Sequence, residues 1–584
     1  MVRKAFIAAA FAALALPGSA VAAAQPTLLM PGVTYSRQVQ FTPHGPVVIH
    51  VLTSPRPKAN GLWGLHPVLG RNAIQGRETV TGMQKDVSAF ATVAGTNGDL
   101  FAWSNGRPTG IVMQSGVVKH TPSDTRSSVG IDGAGNLSVQ RVQLFGTWRG
   151  TGQRRPFSGV NDLPPSNGIS LYTPAWGPTT PPVDNSYEAQ IASFPPATPN
   201  TDLAGQVTGV AANASVPIPP NGAVLVARGV TAQKLAAEAP VGTVVAMRLI
   251  LKPEWAGMVD AIGGGPAIVR NGRPIFRANE GFSPDQLQPR NPRTGVGQLR
   301  DGRILQVVVD GRQPGYSAGM TNFELAQAMV RLGAVTASAL DSGGSSTVAF
   351  DGKLLNRPSD PGGQRAVKEC LCVFYYGVYA PPPSAPVLSP NGDGIGETQA
   401  LAYKVVRPSA VTATIVGPDR VPRVTQTTQS SPGAYKLSWN GLTSTGSPER
   451  EGLWHWTVTA TDDLGRQSTV DRTFWLNNTL GFLRVPRRVA VGRRPAVVAR
   501  FRVAHPARVI VRIQTRTGVI LRSIVRTVRT PGTAAVGWNG RVGRAGRGPL
   551  VYTGRYVVEV STENALGQAK LSKPIAVKRV AKRR

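Results

Sequence analysis

The most constraining feature of this sequence lies between residues 303 and 356, where two largely apolar runs flank a helical pattern. The first run, 304–309, stops at Asp310, and the second, 336–340, stops at Asp341. Runs of this length are typical of buried strands, so the segment predicts a strand–helix–strand unit with parallel strands and a right-handed crossover. Both aspartates would then lie at the carboxyl ends of strands, on one edge of one sheet, where open sheets bind ligands.

The residues between the two runs carry the signals of a helix start and a helix end. Thr321 and Glu324 fit a capping box, and Gly333 stands where a C′ glycine belongs. The predicted buried stripe of this helix consists of Phe323, Ala326, Met329 and Val330. If the two strands are neighbours, their axes lie about 4.8 Å apart. Two carboxylates that close would raise the pKa of one of them.

Five sequence blocks, in order, resemble the phosphodiester glycosidases over roughly residues 85 to 378. They are Thr96-Asn97-Gly98-Asp99-Leu100-Phe101, Gly263-Gly264-Gly265-Pro266, Asn291-Pro292-Arg293-Thr294, Val309-Asp310-Gly311-Arg312 and Leu340-Asp341-Ser342-Gly343-Gly344-Ser345-Ser346. Residues 356–360 and Arg365 extend the resemblance. Ser342 departs from it, because the family usually has glycine there.

The resemblance implies a hydrolase that cleaves the glycosidic bond of a sugar-1-phosphodiester, with N-acetylglucosamine or a related sugar, in a cell-envelope polysaccharide. A phosphate monoester leaves readily, so a strong general acid matters less than in ordinary glycoside cleavage. The site needs a cation for the phosphate, donors for the sugar hydroxyls, and a carboxylate. The carboxylate would activate water or stabilise the oxocarbenium ion.

Residue types that match these needs are assigned on the resembling blocks. Asp341 is the predicted catalytic carboxylate, with Asp310 as its coupled neighbour. Arg293 is the predicted phosphate clamp, because a guanidinium binds phosphate through two hydrogen bonds. Arg312 either binds substrate or pairs structurally with Asp310. The remaining predicted substrate-binding residues are Asn97, Asp99, Gly264, Gly265, Gly343, Gly344, Ser345 and Ser346.

Other functions were weighed against this one. A non-catalytic envelope-binding protein on the same fold is the alternative, and Ser342 is the reason for it. A phosphodiesterase that breaks P–O bonds would need a metal cluster, and the sequence shows no clustered histidines for one. A serine protease is excluded because no upstream histidine has the required motif and Leu340 precedes Asp341 where glycine is needed. No metal is predicted in the site.

The net charge of +33 is unevenly distributed along the chain. Residues 481–584 contain 24 Lys or Arg and only two acids, Glu559 and Glu563, which gives a net charge of +22. So basic a segment should bind polyanions by counterion release, and an anionic cell-envelope polymer is the predicted partner. No sequence-specific nucleic-acid motif is present, so only non-specific DNA binding is expected.

Composition changes divide the sequence into several predicted domains. Residues 1–24 have the pattern of a cleaved signal peptide, with an uncleaved anchor as the alternative, and predict a secreted or surface-associated protein without a membrane span after cleavage. Residues 25–380 are predicted as an α+β domain with a mixed sheet. Residues 381–480 and 481–578 are predicted as all-β immunoglobulin-like sandwiches, followed by a basic tail at 579–584. The proline-rich stretch at 380–384 marks the first boundary.

Three smaller patterns concern the second half of the sequence. Residues 381–480 resemble the immunoglobulin-like domain of flagellar hook-cap proteins, and a Trp-Asn-Gly repeated at 439–441 and 538–540 relates the two sandwiches. Asn391 and Asp393, with Glu397, could bind Ca²⁺ but are more often a simple turn. Cys370 and Cys372 share one face of a predicted strand and are expected as two buried thiols, without a disulfide.

Overall fold

The computed structural model describes residues 22–23, 25–255, 257–275, 280–492, 494–543 and 545–580. Its described part is mostly β and contains several sheets. Contacts divide the chain into two compact units, with the division between Tyr376 and Gly377. Except for a short strand at Ala22–Ala23, the predicted signal peptide lies outside the described residues. No helix in the described ranges combines the length and the apolar character that crossing a membrane requires.

We label the elements of the first unit that position the candidate site. They are β1 Gly45–Ser54, β2 Thr92–Asn97, β3 Met258–Gly263, β4 Arg293–Leu299, β5 Ile304–Val309, α1 Asn322–Arg331, β6 Ala334–Ala339 and β7 Glu369–Tyr375. Further helices and 3₁₀ turns span Gly70–Asn72, Val80–Asp86, Val230–Glu238, Pro284–Leu287 and Gly343–Ser345.

The predicted strand–helix–strand unit is present as β5, α1 and β6, but its two strands are not neighbours. The strand β4 lies between them and pairs antiparallel with both. Consequently β5 and β6 run parallel, with two strand spacings, roughly 10 Å, between their axes. The sequence pattern of the segment 303–356 holds no information on β4, which lies N-terminal to it, so the separation of Asp310 from Asp341 was not predictable from that segment.

The helix α1 begins and ends as predicted, but its buried stripe is shifted by two residues at the N-terminal end. Thr321 and Glu324 form the capping box, and Gly333 adopts a positive φ of 96° just after the helix. Leu325, Ala326 and Met329 are buried against the sheet, whereas Phe323 is 45% exposed. The expectation for Phe323 was wrong because Leu325 occupies the inward position of the first turn.

The sheet that contains β1, β4, β5 and β6 forms one layer around the site. Its strand order is Ala22–Ala23, Val33–Thr42, β1, β5, β4, β6, Ala267–Arg270 and Arg273–Pro274, with Thr27–Met30 paired to Val33–Thr42. A second sheet has the order Lys353–Leu354, Val348–Phe350, β2, β7 and Trp63–Leu69. The candidate site lies where the ends of β2 and β6 approach each other.

Two further sheets complete the first unit. One has the order Leu137–Arg141, Ser127–Asp132, β3, Val112–Gln114 and Val117–His120. The other has the order Arg155–Pro156, Gln143–Arg149, Val244–Lys252, Asp202–Ala212, Ser186–Ile191, Ala223–Arg228, Ile169–Tyr172 and Gly159–Val160. A shared hydrophobic core that includes Trp148 and Leu225 joins them.

Two features at the start of β7 stabilise the second sheet. Cys370 and Cys372 are both buried, and their sulfurs form a disulfide. The expectation of two free thiols was therefore wrong, because residues two apart on a strand share a face and the Cα separation of 5.6 Å suits a disulfide. Just before them, the buried ammonium of Lys368 donates hydrogen bonds to the carbonyls of Gly70, Ala73, Gln75 and Gly76 at 2.6–3.3 Å.

The second unit consists of strands that enclose two hydrophobic cores. The first core lies between a sheet in the order Val387–Leu388, Gln467–Leu476, Gly452–Asp462, Ser409–Val416 and Pro422–Ser430 and the pair Gln399–Val405 with Gly433–Trp439. The second lies between the sheet Leu480–Arg484, Ala496–Val503, Gly532–Trp538 and the sheet Arg488–Val491, Gly567–Arg579, Gly554–Asn564, Ala507–Gln514, Ile520–Val528.

Candidate active site

Asn97 connects the ends of three chain segments at the candidate site. Its side-chain amide donates to the carbonyl oxygen of Asp341 at 2.9 Å. Its side-chain oxygen accepts from the Thr294 hydroxyl at 2.8 Å and the Thr347 amide at 3.0 Å. The side chain is completely buried and its hydrogen-bonding groups are occupied. Asn97 therefore positions Asp341, whereas the sequence predicted a direct contact with the sugar.

Asp341 follows β6 and is half-buried at the edge of a cavity. Desolvation raises the pKa of its carboxyl to about 6, against the opposing effect of hydrogen bonds from the Ser345 hydroxyl and the Ser342 amide. The negative charge of Asp99 adds to the increase in pKa. The predicted coupling partner, Asp310, is not among the groups that shift this pKa. The carboxylate that interacts with Asp341 comes instead from the loop after β2.

Asp99 is buried and forms a two-point ion pair with Arg126. The distances between their nitrogen and oxygen atoms are 2.8 and 3.1 Å. The same guanidinium donates to the Thr109 hydroxyl and to the carbonyl of Gly264. Both oxygens of Asp99 accept from Arg126, and the sugar contact predicted for Asp99 stays a prediction.

Glu369, the first residue of β7, is a buried acid at the same site. One carboxyl oxygen accepts from the Asp99 amide at 3.0 Å, and the other lacks a hydrogen-bond partner among the described residues. Burial raises the pKa of Glu369 to about 8, and the charge of Asp99 adds to this effect. A pKa of about 8 keeps this carboxyl group mostly protonated at neutral pH, and it lies beside the ion pair of Asp99 with Arg126.

A cavity of about 170 Å³ lies beside Asp341. Its lining includes apolar groups such as Leu100 and Phe282, and polar groups such as Asn291, Arg312 and Ser342. Arg312 is exposed, donates from Nε to the Asn291 side chain at 2.8 Å, and extends its guanidinium over Gly343. The cavity therefore combines the carboxylates of Asp341 and Asp285, one accessible cation and an apolar wall.

Arg293 also borders this cavity, but its guanidinium is directed at the main chain. Its nitrogens donate to the carbonyls of Gln286, Leu287, Pro289 and Met320 at 2.7–3.3 Å. The side chain is 2% exposed, and burial together with Arg312 lowers its pKa to about 10. These contacts differ from those of the predicted phosphate clamp, because four of the five N–H groups already hold the cavity wall in place.

Asp310 lies away from the cavity lining and belongs to a buried network. Its carboxylate bonds His50 at 2.9 Å, the Asn356 side chain at 2.9 Å and the Tyr316 hydroxyl at 3.0 Å. Arg312 does not form the alternative ion pair with Asp310 among the described contacts, since its Nε bonds Asn291. The structure therefore does not bring Asp310 together with Asp341, and a catalytic role for Asp310 stays a prediction.

The glycine-rich loop after Asp341 fits closely between charged side chains. A Cβ atom at Gly344 would lie 2.0 Å from Asp360 and 2.1 Å from Arg365. These two side chains form an ion pair, and Arg365 also donates to the buried Ser345 hydroxyl at 3.3 Å. Only glycine fits here, because any side chain would break that pair. The neighbouring Ser346 is buried, and its hydroxyl lacks a described partner.

The predicted loop at Gly264 and Gly265 also contacts the site, although not through free amides. The amide of Gly265 donates to the carbonyl of Ala339 and to the Ser338 hydroxyl, both at 3.0 Å. Gly265 lines the cavity with a positive φ of 105°. The loop thus shapes the cavity wall, and two residues of β6 occupy the amide of Gly265.

Two functional residues were missed in the sequence, Arg126 and Glu369. Nothing in the local pattern identifies Arg126, which precedes an ordinary strand and reaches Asp99 only through the tertiary fold. Glu369 was identifiable in principle, because Lys368 and Glu369 are adjacent charges that open a buried apolar strand. Buried charges of that kind require partners or shifted pKa values.

Comparisons with known proteins point to one family. The model of the phosphodiester glycosidase family matches residues 199–374. A stretch of 89 residues is 38% identical to the SPbeta prophage-derived uncharacterized protein YomE of Bacillus subtilis strain 168, covering 15% of this chain and 14% of that protein.

One solved structure is similar to this chain in fold. A hypothetical protein from Synechocystis is 27% identical with a TM-score of 0.52, and the match covers 62% of this chain and 64% of that one. The match to the catalytic domain of zebrafish N-acetylglucosamine-1-phosphodiester alpha-N-acetylglucosaminidase, auto-inhibited by its pro-peptide, has 16% identity and a TM-score of 0.29, and covers 59% and 82%. The chain spans less than two thirds of the length of YomE and of the Synechocystis protein.

Proposed function

We propose that this protein hydrolyses the glycosidic bond of a sugar-1-phosphodiester, because residues 199–374 match the model of the phosphodiester glycosidase family. The observation that carries the proposal is the half-buried Asp341 carboxylate at a cavity that also contains the exposed cation Arg312. In the reaction, water adds to the anomeric carbon and the bond from that carbon to the phosphate oxygen breaks. The phosphate monoester leaves with the bonding electrons, and Asp341 accepts a proton from the water.

The size and the polarity of the cavity support one sugar unit as the group bound beside Asp341. At about 170 Å³, it is smaller than the roughly 300–1,000 Å³ of pockets for drug-sized ligands. The lining offers Phe282 and Leu100 for the apolar face of a sugar ring and Asn291 and Ser342 for its hydroxyls. We propose N-acetylglucosamine or a related sugar as the occupant.

Arg312 is the proposed phosphate ligand in this mechanism. Its Nε is held by Asn291, which directs the terminal nitrogens over the loop at Gly343. A guanidinium held in this way can make a planar two-point contact with a phosphate. Arg293 acts indirectly in this scheme, because its contacts with the carbonyls of 286–289 stabilise the wall that Arg312 faces.

The alternative of a non-catalytic binding protein rests on Ser342, and the local geometry weakens it. Ser342 has φ −123° and ψ −173°, an extended conformation that any residue adopts. Its amide donates to the Asp341 carboxylate at 2.8 Å. A serine is therefore accommodated without backbone strain, and Asp341 keeps a hydrogen bond that a glycine would also supply.

The remaining parts of the proposal concern export and retention. We propose that residues 1–24 direct export and that 482–584 hold the enzyme on an anionic cell-envelope polymer. Among the described basic side chains of that segment, Arg484, Arg487, Arg488, Arg500, Arg502 and Arg508 are exposed. Of its two acids, Glu559 is buried between Arg512 and Lys570. The two strand-built halves of the second unit are proposed as the immunoglobulin-like sandwiches. A Ca²⁺ site at Asn391 and Asp393 stays a proposal.

The test is a panel of sugar-1-phosphodiesters incubated with the purified protein, with product identification by mass spectrometry in ¹⁸O-labelled water. We expect the label in the free sugar, because water attacks the anomeric carbon. Label in the phosphate monoester would show P–O cleavage and contradict the proposal. The variant Asp341→Asn is the control for adventitious hydrolysis.

A further inference from the structure

We propose that Trp103 is the binding platform for the leaving-group sugar, the ring esterified to the far side of the phosphate. This inference rests on the proposed function and specifies its substrate class. Trp103 lies on the loop after β2, closed by a bridge between Phe101 and Pro108, and its indole is 63% exposed. An indole combines a large apolar face with an N–H donor, and side chains of this kind are enriched at binding interfaces.

Arg365 connects this indole to the candidate site. Its guanidinium carbon lies 5.1 Å from the Trp103 ring centroid, while its nitrogens bond Asp360 and the Ser345 hydroxyl. Ser345 belongs to the loop that follows Asp341, and the first amide of that loop, from Ser342, donates to the Asp341 carboxylate at 2.8 Å. The short loop 342–345 thus connects the catalytic carboxylate to Arg365 and, through Arg365, to Trp103.

The order of the two arginines along the glycine-rich loop after Asp341 gives the direction in which a substrate would extend. Arg312 lies over Gly343, and Arg365 lies over the next residue, Gly344. A sugar in the cavity beside Asp341 would place its phosphate near Arg312, and the next ring would pass Arg365 to reach Trp103. A substrate in which a phosphate is followed by a sugar ring would therefore meet first a cation, Arg312, and then an aromatic surface, Trp103.

The indole is already held in one orientation. Phe101 contacts it with ring centroids 5.4 Å apart, and the guanidinium carbon of Arg77 lies 5.4 Å from its ring centroid. Arg77 also lies 5.7 Å from Phe101. Because these contacts fix the ring before a ligand arrives, little side-chain freedom is lost on binding. The flanking cations would also attract a leaving group that carries further phosphates, as in a polymer.

The experiment compares two substrates that share one sugar-1-phosphate. In the first the phosphate is esterified with methanol, and in the second with a hexose. We expect Trp103→Ala to lower the ratio of kcat/KM for the hexose ester to kcat/KM for the methyl ester about tenfold, which a stacking contact of this size can supply. Trp103→Phe should restore part of the ratio.

A matched control is Phe90→Ala, because Phe90 is another exposed aromatic, at 67%, and has no described contact with the site. It should leave the ratio at the wild-type value. An equal ratio in wild type and Trp103→Ala would overturn the inference while leaving hydrolysis intact. If wild type cleaves neither substrate, the proposed function itself fails. Binding of the hexose ester to Asp341→Asn, measured by isothermal titration with and without the additional change Trp103→Ala, still reports whether Trp103 binds the second ring.

Discussion

The two charged regions of this molecule use their charges in opposite ways. Around Asp341 the acids Asp99 and Glu369 are buried, each with defined hydrogen bonds, and burial moves the pKa of Glu369 to about 8. In the segment 482–580 most arginines are exposed on strand surfaces, and the acid Glu559 is withdrawn into ion pairs.

The difference shows what each arrangement can do. A buried charge has a shifted pKa and a fixed direction, which chemistry at one bond requires. An exposed charge keeps its ordinary behaviour, attracts counter-charges over about 10 Å and is screened by salt. We therefore expect substitutions in the first region to change turnover and those in the second to change salt-dependent binding.

The largest effect is expected for Asp341→Asn, which keeps the shape and removes the proton acceptor. Turnover should fall about 10³-fold, within the range for loss of a general base. In the wild type kcat/KM should rise with pH through about 6, because only the ionised Asp341 accepts a proton. Near-wild-type turnover in the variant, with an unchanged circular dichroism spectrum, would exclude Asp341 from the chemistry.

Arg312→Ala compared with Arg293→Lys sharpens the distinction between an accessible and a structural cation. Loss of a charged hydrogen-bond donor to phosphate should lower kcat/KM by roughly 10–100-fold for Arg312→Ala without a comparable change in Tm. Arg293→Lys should lower Tm, because three separate guanidinium nitrogens hold the four carbonyls and one ammonium nitrogen cannot occupy all three positions. The opposite result, with Arg293→Lys impairing only phosphate binding, would restore the assignment made from the sequence.

The exposed region predicts a smaller effect on polyanion binding. Arg500→Gln with Arg502→Gln removes two exposed cations from one strand face and should weaken binding to polyphosphate beads about tenfold at low salt. Binding of both proteins should fall with added salt, more steeply for wild type. Arg512→Gln is the matched control, because Arg512 is paired with Glu559 and should contribute little. Equal losses of polyphosphate binding in the double variant and in Arg512→Gln would contradict the distinction between exposed and paired arginines.

The smallest effect is expected for Glu369→Gln. The folded-state pKa of Glu369 is raised from 4.5 to about 8, so the wild type loses stability as pH rises from about 4.5 to 8, and glutamine removes that loss. Tm of the variant should match wild type near pH 5 and exceed it by a few degrees near pH 9. Parallel Tm curves across this range would show that Glu369 is ionised in the folded protein. At pH 7 the variant should keep most of its turnover.

The sequence was sufficient where a local pattern determines the structure. The capping box at Thr321 and Glu324 and the C′ glycine Gly333 were read directly and are confirmed. The family was also identified from its blocks, and residues 199–374 match its model. These predictions succeeded because the relevant partners are within four residues, or because the blocks preserve their order.

The partners of each charged side chain were not predictable, since tertiary folding decides them. Arg126 meets Asp99 across 27 positions, and Arg293 is occupied by carbonyls of a loop that has no composition signal. The strand β4 separates Asp310 from Asp341 because strand order is set by packing over the whole sheet. Residue type therefore identified the candidates, and only the fold distinguished the accessible ones from the structural ones.

The ammonium of Lys368 is held by four main-chain carbonyls, much as a protein holds a bound potassium ion. Unlike a free ion, this cation is covalently attached to the strand that begins with Glu369, so it cannot exchange with the solvent. We expect the segment 70–76 to keep its conformation regardless of which monovalent salt surrounds the protein. Because burial lowers the pKa of this ammonium to about 8, the segment loses its cation either at higher pH or when the start of β7 moves away. The order of a surface turn is thereby linked to the integrity of the site.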